Sequence, residues 1–467
     1  MSVPLLVGDV LRNAAAGAPD RAAIVLGEER RSFAELFAAG QSVAAGLAER
    51  GIGPGDVVLV HGTVAIAMAD LFAGCALRGA VFAPVDPRLP ADTLAAVTEL
   101  ASPALVVLEA EHRDISSTHT DLFGRAEIDE NDPHVVFFTS GTSGTPKGVV
   151  LSHRVSVLRS HPGSQLEPRG ALVCPYPLFH MAGWTMAMQQ WHARDALVLL
   201  DSPTAPEIIG AVREHKAARL NAIPGVWQRI LDHLRETGEA PLESLRFADT
   251  GTYATPPELL AAIGEAAPNA HVRVFYGSTE VGNVTALDHH DILERVGSCG
   301  RPSPLVEIRL GEGDEMLVRT PVAFDHYLND LEATDAAFHG DWFRTGDVAA
   351  IDDEGFVSIV GRLGQIIRTG GESVSPSQVE QAFAGAVGVV DVAVIGMPDA
   401  QWGEIVTLCV VAEEGVEVEL ASLTDGVDLA PHAVPRRLEV VKTIPRTAAT
   451  GQIDRRRLLT LVVEQPT

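Results

Sequence analysis

The feature that most limits what this chain can become is a strand–helix alternation repeated through its first two-thirds. "AAIVLGEERRSF" reads as a hairpin turning at Gly27-Glu28. "SFAELFAAGQSVAAGLAERG" reads as an amphipathic helix, with Ser32 as N-cap, Glu35 three residues on and Gly51 past its end. "DVVLVHG" is a short apolar strand, "AIAMADLFAGCALRG" a helix and "AVFAPV" another strand. "HVVFFT", "ALVLL", "EIIGAVREHKA", "RLNAIP" and "VRVFYG" continue the pattern. Alternation of this kind implies mainly parallel sheets covered by helices.

From about Gly297 the texture changes to short strands and turns, "VEIRLGEGDEMLVRT" and "DVAAIDDEGFVSIVG", which suit a small barrel. After "GRLGQIIRTGGESVSP" the chain becomes α+β, with a helix "SPSQVEQAFAG" and a strand "VVDVAVIGM". A chain of 467 residues is too long for one hydrophobic core. The expected fold is therefore α/β: a large N-terminal domain, 1–361, a hinge near Gly361–Ile366, and a small α+β domain, 362–467. The large domain should hold two mixed α/β sheet subdomains and a small β-barrel.

Charge narrows the partners. The chain has 62 acids against 35 bases, a formal net charge of -27. A field of that sign disfavours nucleic acid and anionic membranes, though a local cluster of donors can still hold an anionic small molecule. Cys75, Cys174, Cys299 and Cys409 form no CxxC pair, which argues against zinc ribbons and disulfide frameworks. With no basic stretch leading into a long apolar core at the N-terminus, and no apolar run of bilayer length, the expected setting is cytoplasmic. Only three of the bases are lysines: Lys147, Lys216 and Lys442.

That scarcity gives weight to "VVFFTSGTSGTPKGVVLSH". An apolar strand runs into Thr139, Ser140, Gly141, Thr142, Ser143 and Gly144, and Lys147 follows. Glycines let backbone N–H groups approach an anion, hydroxyls add donors and the lysine adds charge, a set suited to a polyphosphate. It is not a Walker A loop, because Lys147 is followed by Gly148 rather than by Ser or Thr.

With "YPLFHMAGW", "YGSTEVG", "GSCGRP", "WFRTGD", "GRLGQIIRTGGESVSP" and "PRTAATGQIDRRR" following in order, the chain resembles the adenylate-forming superfamily. That superfamily includes acyl-CoA synthetases, peptide-synthetase adenylation domains and beetle luciferase; the look is nearest to aryl- or short/medium-chain acyl-CoA ligases. The resemblance implies ATP, Mg²⁺ and coenzyme A. A carboxylic acid would be joined to AMP with release of pyrophosphate, and a thiol would then take the acyl group. The C-terminal domain would rotate between the two steps.

The resemblance also implies roles. Thr139, Ser140, Thr142 and Lys147 would hold the β- and γ-phosphates, within the loop that includes Gly141, Ser143 and Gly144. Tyr276 and Gly277 would lie at the adenine, Thr279 would bond the α-phosphate, and Glu280 would hold Mg²⁺, which favours one or two carboxylates plus phosphates. Asp249, Thr250, Gly251 and Thr252 would line the adenine and acyl pockets. Asp347 would accept from the ribose hydroxyls, and Arg362 would reach ribose or phosphate. His180 matches an aromatic gate position; read alone it is a packed polar residue. Ala182, Gly183, Trp184, Ser278, Val281, Gly282 and Asn283 would form the acid pocket, with Trp184 shortening or flattening it. Gly370 and Gly371 match the loop beside the pantetheine tunnel.

Two positions depart from the family pattern. The hinge residue, usually Asp or Lys, is Gln365, and the tip of the C-terminal hairpin, usually a lysine, is Gln452 in Thr450-Gly451-Gln452. That lysine would supply preorganised positive charge, often worth ~3 kcal/mol. Glutamine keeps donors but not charge, in a chain with ample arginine. Three readings stay open: a CoA ligase, an acyl-AMP ligase with an amine, a carrier protein or an unusual oxyanion substrate, and an adenylation-impaired nucleotide-binding homologue. A homodimer also stays open.

Overall fold

The expected hairpin at Gly27 is where the first sheet begins. Ala22–Leu26 pairs antiparallel with Glu29–Ser32, and Gly27 takes the positive φ that the turn demands. Ser32 then caps the helix Phe33–Glu49. Its hydroxyl accepts from the Glu35 N–H, while the Glu35 carboxylate accepts from the Ser32 N–H. This reciprocal capping, worth about 1 kcal/mol, is local chemistry and was readable as such. The computed structural model describes residues 4–62, 65–118, 127–140, 146–161, 169–201, 203–446 and 452–464.

The chain divides into two compact units, 1–307 with 319–343 and 308–318 with 344–467. The first unit holds two mixed sheets. In the nine-stranded sheet, Phe247–Gly251, Arg219–Asn221, Leu172–Cys174, Leu197–Leu199 and Ala22–Leu26 run parallel in that spatial order. His271–Ser278 adds in parallel beside Phe247–Gly251, and Gly282–Leu287 turns back antiparallel beyond it. In the six-stranded sheet, Leu105–Val107, Val57–His61, Val81–Val85 and Pro133–Ser140 are parallel. Pro146–Ser152 and then His326–Tyr327 extend it antiparallel. The near-continuous apolar runs of the strands follow from helices covering these sheets; Leu59, Val81, Ala83, Val136 and Val150 pack together in one such core.

In the second unit, Glu307–Leu310, Glu315–Arg319 and Trp342–Ile351 are neighbours in a sheet, with Val357–Arg362 antiparallel to the last. The strands expected to form a small barrel thus form an open sheet among the described residues. The C-terminal sheet is built on the long hairpin Val389–Asp399 and Gly403–Ala412. Alternate residues serve two cores: Val394, Val406, Leu408 and Val410 pack with Val379 and Phe383, while Ala393, Ile395 and Cys409 pack with Leu458 and Val462. Among the described residues no helix is long and apolar enough to cross a membrane.

Candidate active site

The expected apolar strand before the loop pairs with the segment after it as a β-ribbon. Pro133–Ser140 pairs with Pro146–Ser152 so that Thr139 lies opposite Lys147. Gly141, Thr142, Ser143 and Gly144 fall outside the described residues, as does the side chain of Ser140. What the sequence did not announce is the next strand over. His326–Tyr327 pairs with the outer edge of Pro146–Ser152, placing Tyr327 opposite Val149. The Lys147 ammonium then sits over the Tyr327 ring, 4.4 Å from its centroid. The Tyr327 hydroxyl donates to Glu280 Oε1 at 3.1 Å. Burial, and Glu280 beside it, push the phenol's pKa up, so it remains a donor. A cation, a phenol and a carboxylate far apart in sequence therefore meet in the first unit.

The second wall comes from the carboxyl ends of parallel strands, where α/β sheets usually take their ligands. Thr250 closes the strand Phe247–Gly251, and its buried Oγ1 has no hydrogen-bond partner among the described residues. The same holds for Ser278 Oγ at the end of His271–Ser278. An unpaired buried hydroxyl costs roughly 1–3 kcal/mol, so two at one sheet edge suit a polar ligand such as a nucleotide. Thr252 follows at φ +77°, a left-handed conformation that costs a β-branched residue roughly 1–3 kcal/mol and is found mainly at functional sites. Gly277 has no room for a side chain, because a Cβ there would meet the Gly282 carbonyl oxygen at 2.1 Å. Tyr276 is partly buried in the same strand, opposite Thr285.

Other expected wall residues are placed differently. The Trp184 indole stacks on Phe72 at 4.2 Å, meets Phe82 edge-on and donates its N–H to the Leu178 carbonyl. At 3% exposure it belongs to the core, not to an open wall. Packing against another aromatic outweighs exposure for so large a ring. Val281 is likewise buried, at 1%. The Asp249 carboxylate is buried and engaged bidentately by Arg273 at 2.8 and 2.9 Å. His180 serves as the N-cap of Met181–Ala193, Nδ1 accepting from the Ala182 N–H at 3.3 Å. Burial lowers its pKa, so the ring is neutral and acts as a cap. Ala182 and Gly183 form the first turn of that helix, Gly282 is buried at φ +68°, and Asn283 is exposed.

In the second unit, Asp347 and Arg362 are brought together. Strand register sets them opposite each other, and Arg362 Nε lies 2.6 Å from Asp347 Oδ1. Gly370 and Gly371 both take positive φ in the tight turn between Ile367–Thr369 and Glu372–Val374. The C-terminal hairpin is present as an Arg446–Ile453 bridge, with Gln452 exposed beside it. Thr450 and Gly451 lie outside the described residues. Arg446 is engaged with Asp391, and Arg455 with Glu380. Arg455 also donates to Gln365 Oε1 at 3.3 Å.

Comparison with known proteins decides the family. The profile of the AMP-binding enzyme family matches residues 11–323, and that of the AMP-binding enzyme C-terminal domain matches 378–450. The chain belongs to the AMP-binding enzyme family. It is 32% identical to the long-chain-fatty-acid–CoA ligase FadD13 of Mycobacterium tuberculosis, over 96% of each chain. It is 29% identical to a feruloyl-CoA synthase of an Amycolatopsis species, over 94% of this chain and 96% of that one. Its fold matches the O-succinylbenzoate coenzyme A synthetase of Bacillus subtilis solved with ATP and magnesium, with a TM-score of 0.86 at 24% identity over 96% and 99% of the two chains. The adenylate-forming chemistry expected from the motifs is thus the chemistry of this family, and the large and small domains expected from texture agree with that fold.

Two site residues escaped sequence reasoning. Tyr327 is one of only four tyrosines, yet "FDHYLND" carries no pattern that ties it to Lys147 or Glu280. Arg159 donates to the main-chain carbonyls of Thr279 and Glu280, and nothing in "VLRSH" signals it.

Proposed function

We propose that this enzyme is an AMP-forming acid–thiol ligase that activates a carboxylic acid and passes its acyl group to coenzyme A. In the first step a carboxylate oxygen of the acid attacks the α-phosphorus of ATP, and the bond to pyrophosphate breaks. In the second, the coenzyme A sulfur attacks the acyl carbon and AMP leaves. The observation that carries the reading is the meeting of Lys147, Tyr327 and Glu280 in the unit that also holds the Thr250 and Ser278 hydroxyls, which have no partner among the described residues. Lys147, Thr139 and the adjoining loop would meet the phosphates, and Thr279 the α-phosphate. Tyr276 and Gly277 would flank the adenine, with Thr250, Gly251 and Thr252 beside it. Asp347 and Arg362 would serve the ribose.

Among the described residues no group of three or more His, Cys, Asp or Glu could hold a metal by itself. A single carboxylate fits Mg²⁺, which commonly takes one or two carboxylates together with substrate phosphates. Glu280 would hold it, and the ion would neutralise phosphate charge when bound. Tyr327 orients that carboxylate by its hydrogen bond, and Lys147 lies over the face of the same ring. The four cysteines are buried free thiols, which suits a reducing cytoplasm.

Pyrophosphate exchange across a panel of aryl and acyl acids, with thioester formation followed in parallel, tests the reading. Exchange and thioester with at least one such acid is the expected result. Exchange without thioester would move the acceptor to an amine or a carrier protein. Tight ATP binding with no exchange for any acid would overturn the assignment, and Gln452 is the residue that makes this outcome worth seeking.

A further inference from the structure

Resting on that reading, we propose that Arg159 is a positioning residue for adenylation, its guanidinium holding the Thr279-Glu280 segment and the Tyr327 strand in one fixed arrangement. Arg159 is near the end of the short helix His153–Ser160. Its Nη1 donates to the Thr279 carbonyl at 2.9 Å, its Nη2 to the Glu280 carbonyl at 2.7 Å, and its Nε to the Val322 carbonyl at 2.9 Å. Among the described residues its fork is directed wholly at main-chain oxygens. It is therefore placed to fix backbone rather than to neutralise a particular carboxylate. Burial draws its pKa down to about 10, with Glu280 and Asp325 opposing the shift, so it stays charged at neutral pH.

The segments it joins carry the site. The Glu280 carbonyl also accepts from the Phe324 N–H at 2.6 Å, so the residues around Val322 and Phe324 are sewn to the Glu280 segment twice. Three residues after Phe324, the Tyr327 hydroxyl reaches the Glu280 carboxylate. The start of the Arg159 helix is tied to the same strand approach, because the Ser152 N–H donates to Asp325 at 2.6 Å. Both ends of the Tyr327–Glu280 hydrogen bond are thus referred to one guanidinium. Gly282 leaves room for it: a Cβ there would lie 3.3 Å from Arg159 Nε. Lysine cannot reproduce this, since one ammonium on a flexible stem lacks the planar fork that meets three carbonyls.

The test uses full-length Arg159→Met and Arg159→Lys, with pyrophosphate exchange, the free Mg²⁺ needed for half-activation, calorimetric binding of Mg·ATP, and amide hydrogen exchange. Displacing catalytic groups by about 1 Å can cost ~100-fold. Arg159→Met is expected to lower exchange kcat by about that factor, leave the acid KM within about threefold, and raise the Mg²⁺ requirement several-fold. Amides of 276–284 should exchange faster while those of 389–412 do not change. Arg159→Lys should recover about tenfold of the loss, as a cation with fewer reachable acceptors. Parental kcat and Mg²⁺ dependence in folded Arg159→Met would overturn the proposal. So would a loss that follows a uniform rise in hydrogen exchange across the chain. If Arg159→Met does not fold, Arg159→Lys is judged by the same criteria. If the parent exchanges pyrophosphate with no acid, the assigned reaction fails, while Mg·ATP binding and local amide exchange still decide whether Arg159 holds the site.

Discussion

The two units use their cations differently. In the first, Lys147 lies over an aromatic ring that hydrogen-bonds Glu280, and Arg159 grips the backbone beneath that carboxylate. In the second, the arginine-rich C-terminal hairpin is engaged in holding its own sheet. Val389–Asp399 is an edge strand there, and edge strands expose unpaired backbone groups. Glu380 accepts from the Val394 N–H at 2.8 Å, Arg455 donates to the Val394 carbonyl at 3.1 Å, and the two side chains pair with each other. The charge density of "PRTAATGQIDRRR" is thus partly structural, independent of the neutral Gln452 at its tip. Positive charge in a sequence is not one kind of signal: where it points decides what it does.

The largest expected effect comes from removing the cation of the first unit. Lys147→Met should lower pyrophosphate exchange by about 10²–10³-fold while leaving the melting temperature close to the parent's, because the group acts on developing charge. A small kinetic effect would break the contrast, since Lys147 would then be only a packing partner of Tyr327. Next, Arg455→Ala should destabilise the second unit by about 3 kcal/mol, measured by urea unfolding, because a partly buried carboxylate is left without its partner. Its pH dependence sharpens the point. Burial already holds the Glu380 pKa above its usual value, so the folded state retains a proton that the unfolded state gives up. The variant's stability should therefore fall as pH rises through and above the ordinary carboxylate range, more steeply than the parent's.

A third change crosses the comparison. Gln452→Lys should speed exchange by about tenfold if the hairpin tip acts on the nucleotide, as preorganised charge would. A rate equal to or below the parent's would leave the tail a purely structural element. The smallest effect is expected at Arg446→Ala, whose pair with Asp391 is largely exposed. Its cost should stay below about 1 kcal/mol and shrink further in high salt. A loss as large as that of Arg455→Ala would mean that the two arginines share one network.

Much of the fold was legible because it is written at short range. The hairpin at Gly27, the Ser32–Glu35 capping box and the strand that runs into the phosphate loop depend on residues within a few positions of one another. Gly277 was legible only as part of its motif; that the Gly282 carbonyl leaves no room for a Cβ there came from the fold. The ordered motifs also carried the family. Side-chain destinations were less readable. Trp184 looked like a pocket wall because its motif neighbours one, but Phe72 and Phe82, a hundred residues away, claim its ring. Asp249 looked like a ligand contact, and Arg273 of the neighbouring strand takes it.

The sequence by itself determined the alternating sheets and helices and the family, which rest on local periodicity and on short motifs in order. Only the tertiary structure decided that Tyr327 joins Lys147 to Glu280, that Arg159 grips the Thr279-Glu280 backbone, and that Arg455 closes a strand edge. Those contacts join positions separated by tens to more than a hundred residues. No repeat or spacing encodes them; they follow from strand register and from the cost of leaving buried donors and acceptors unpaired.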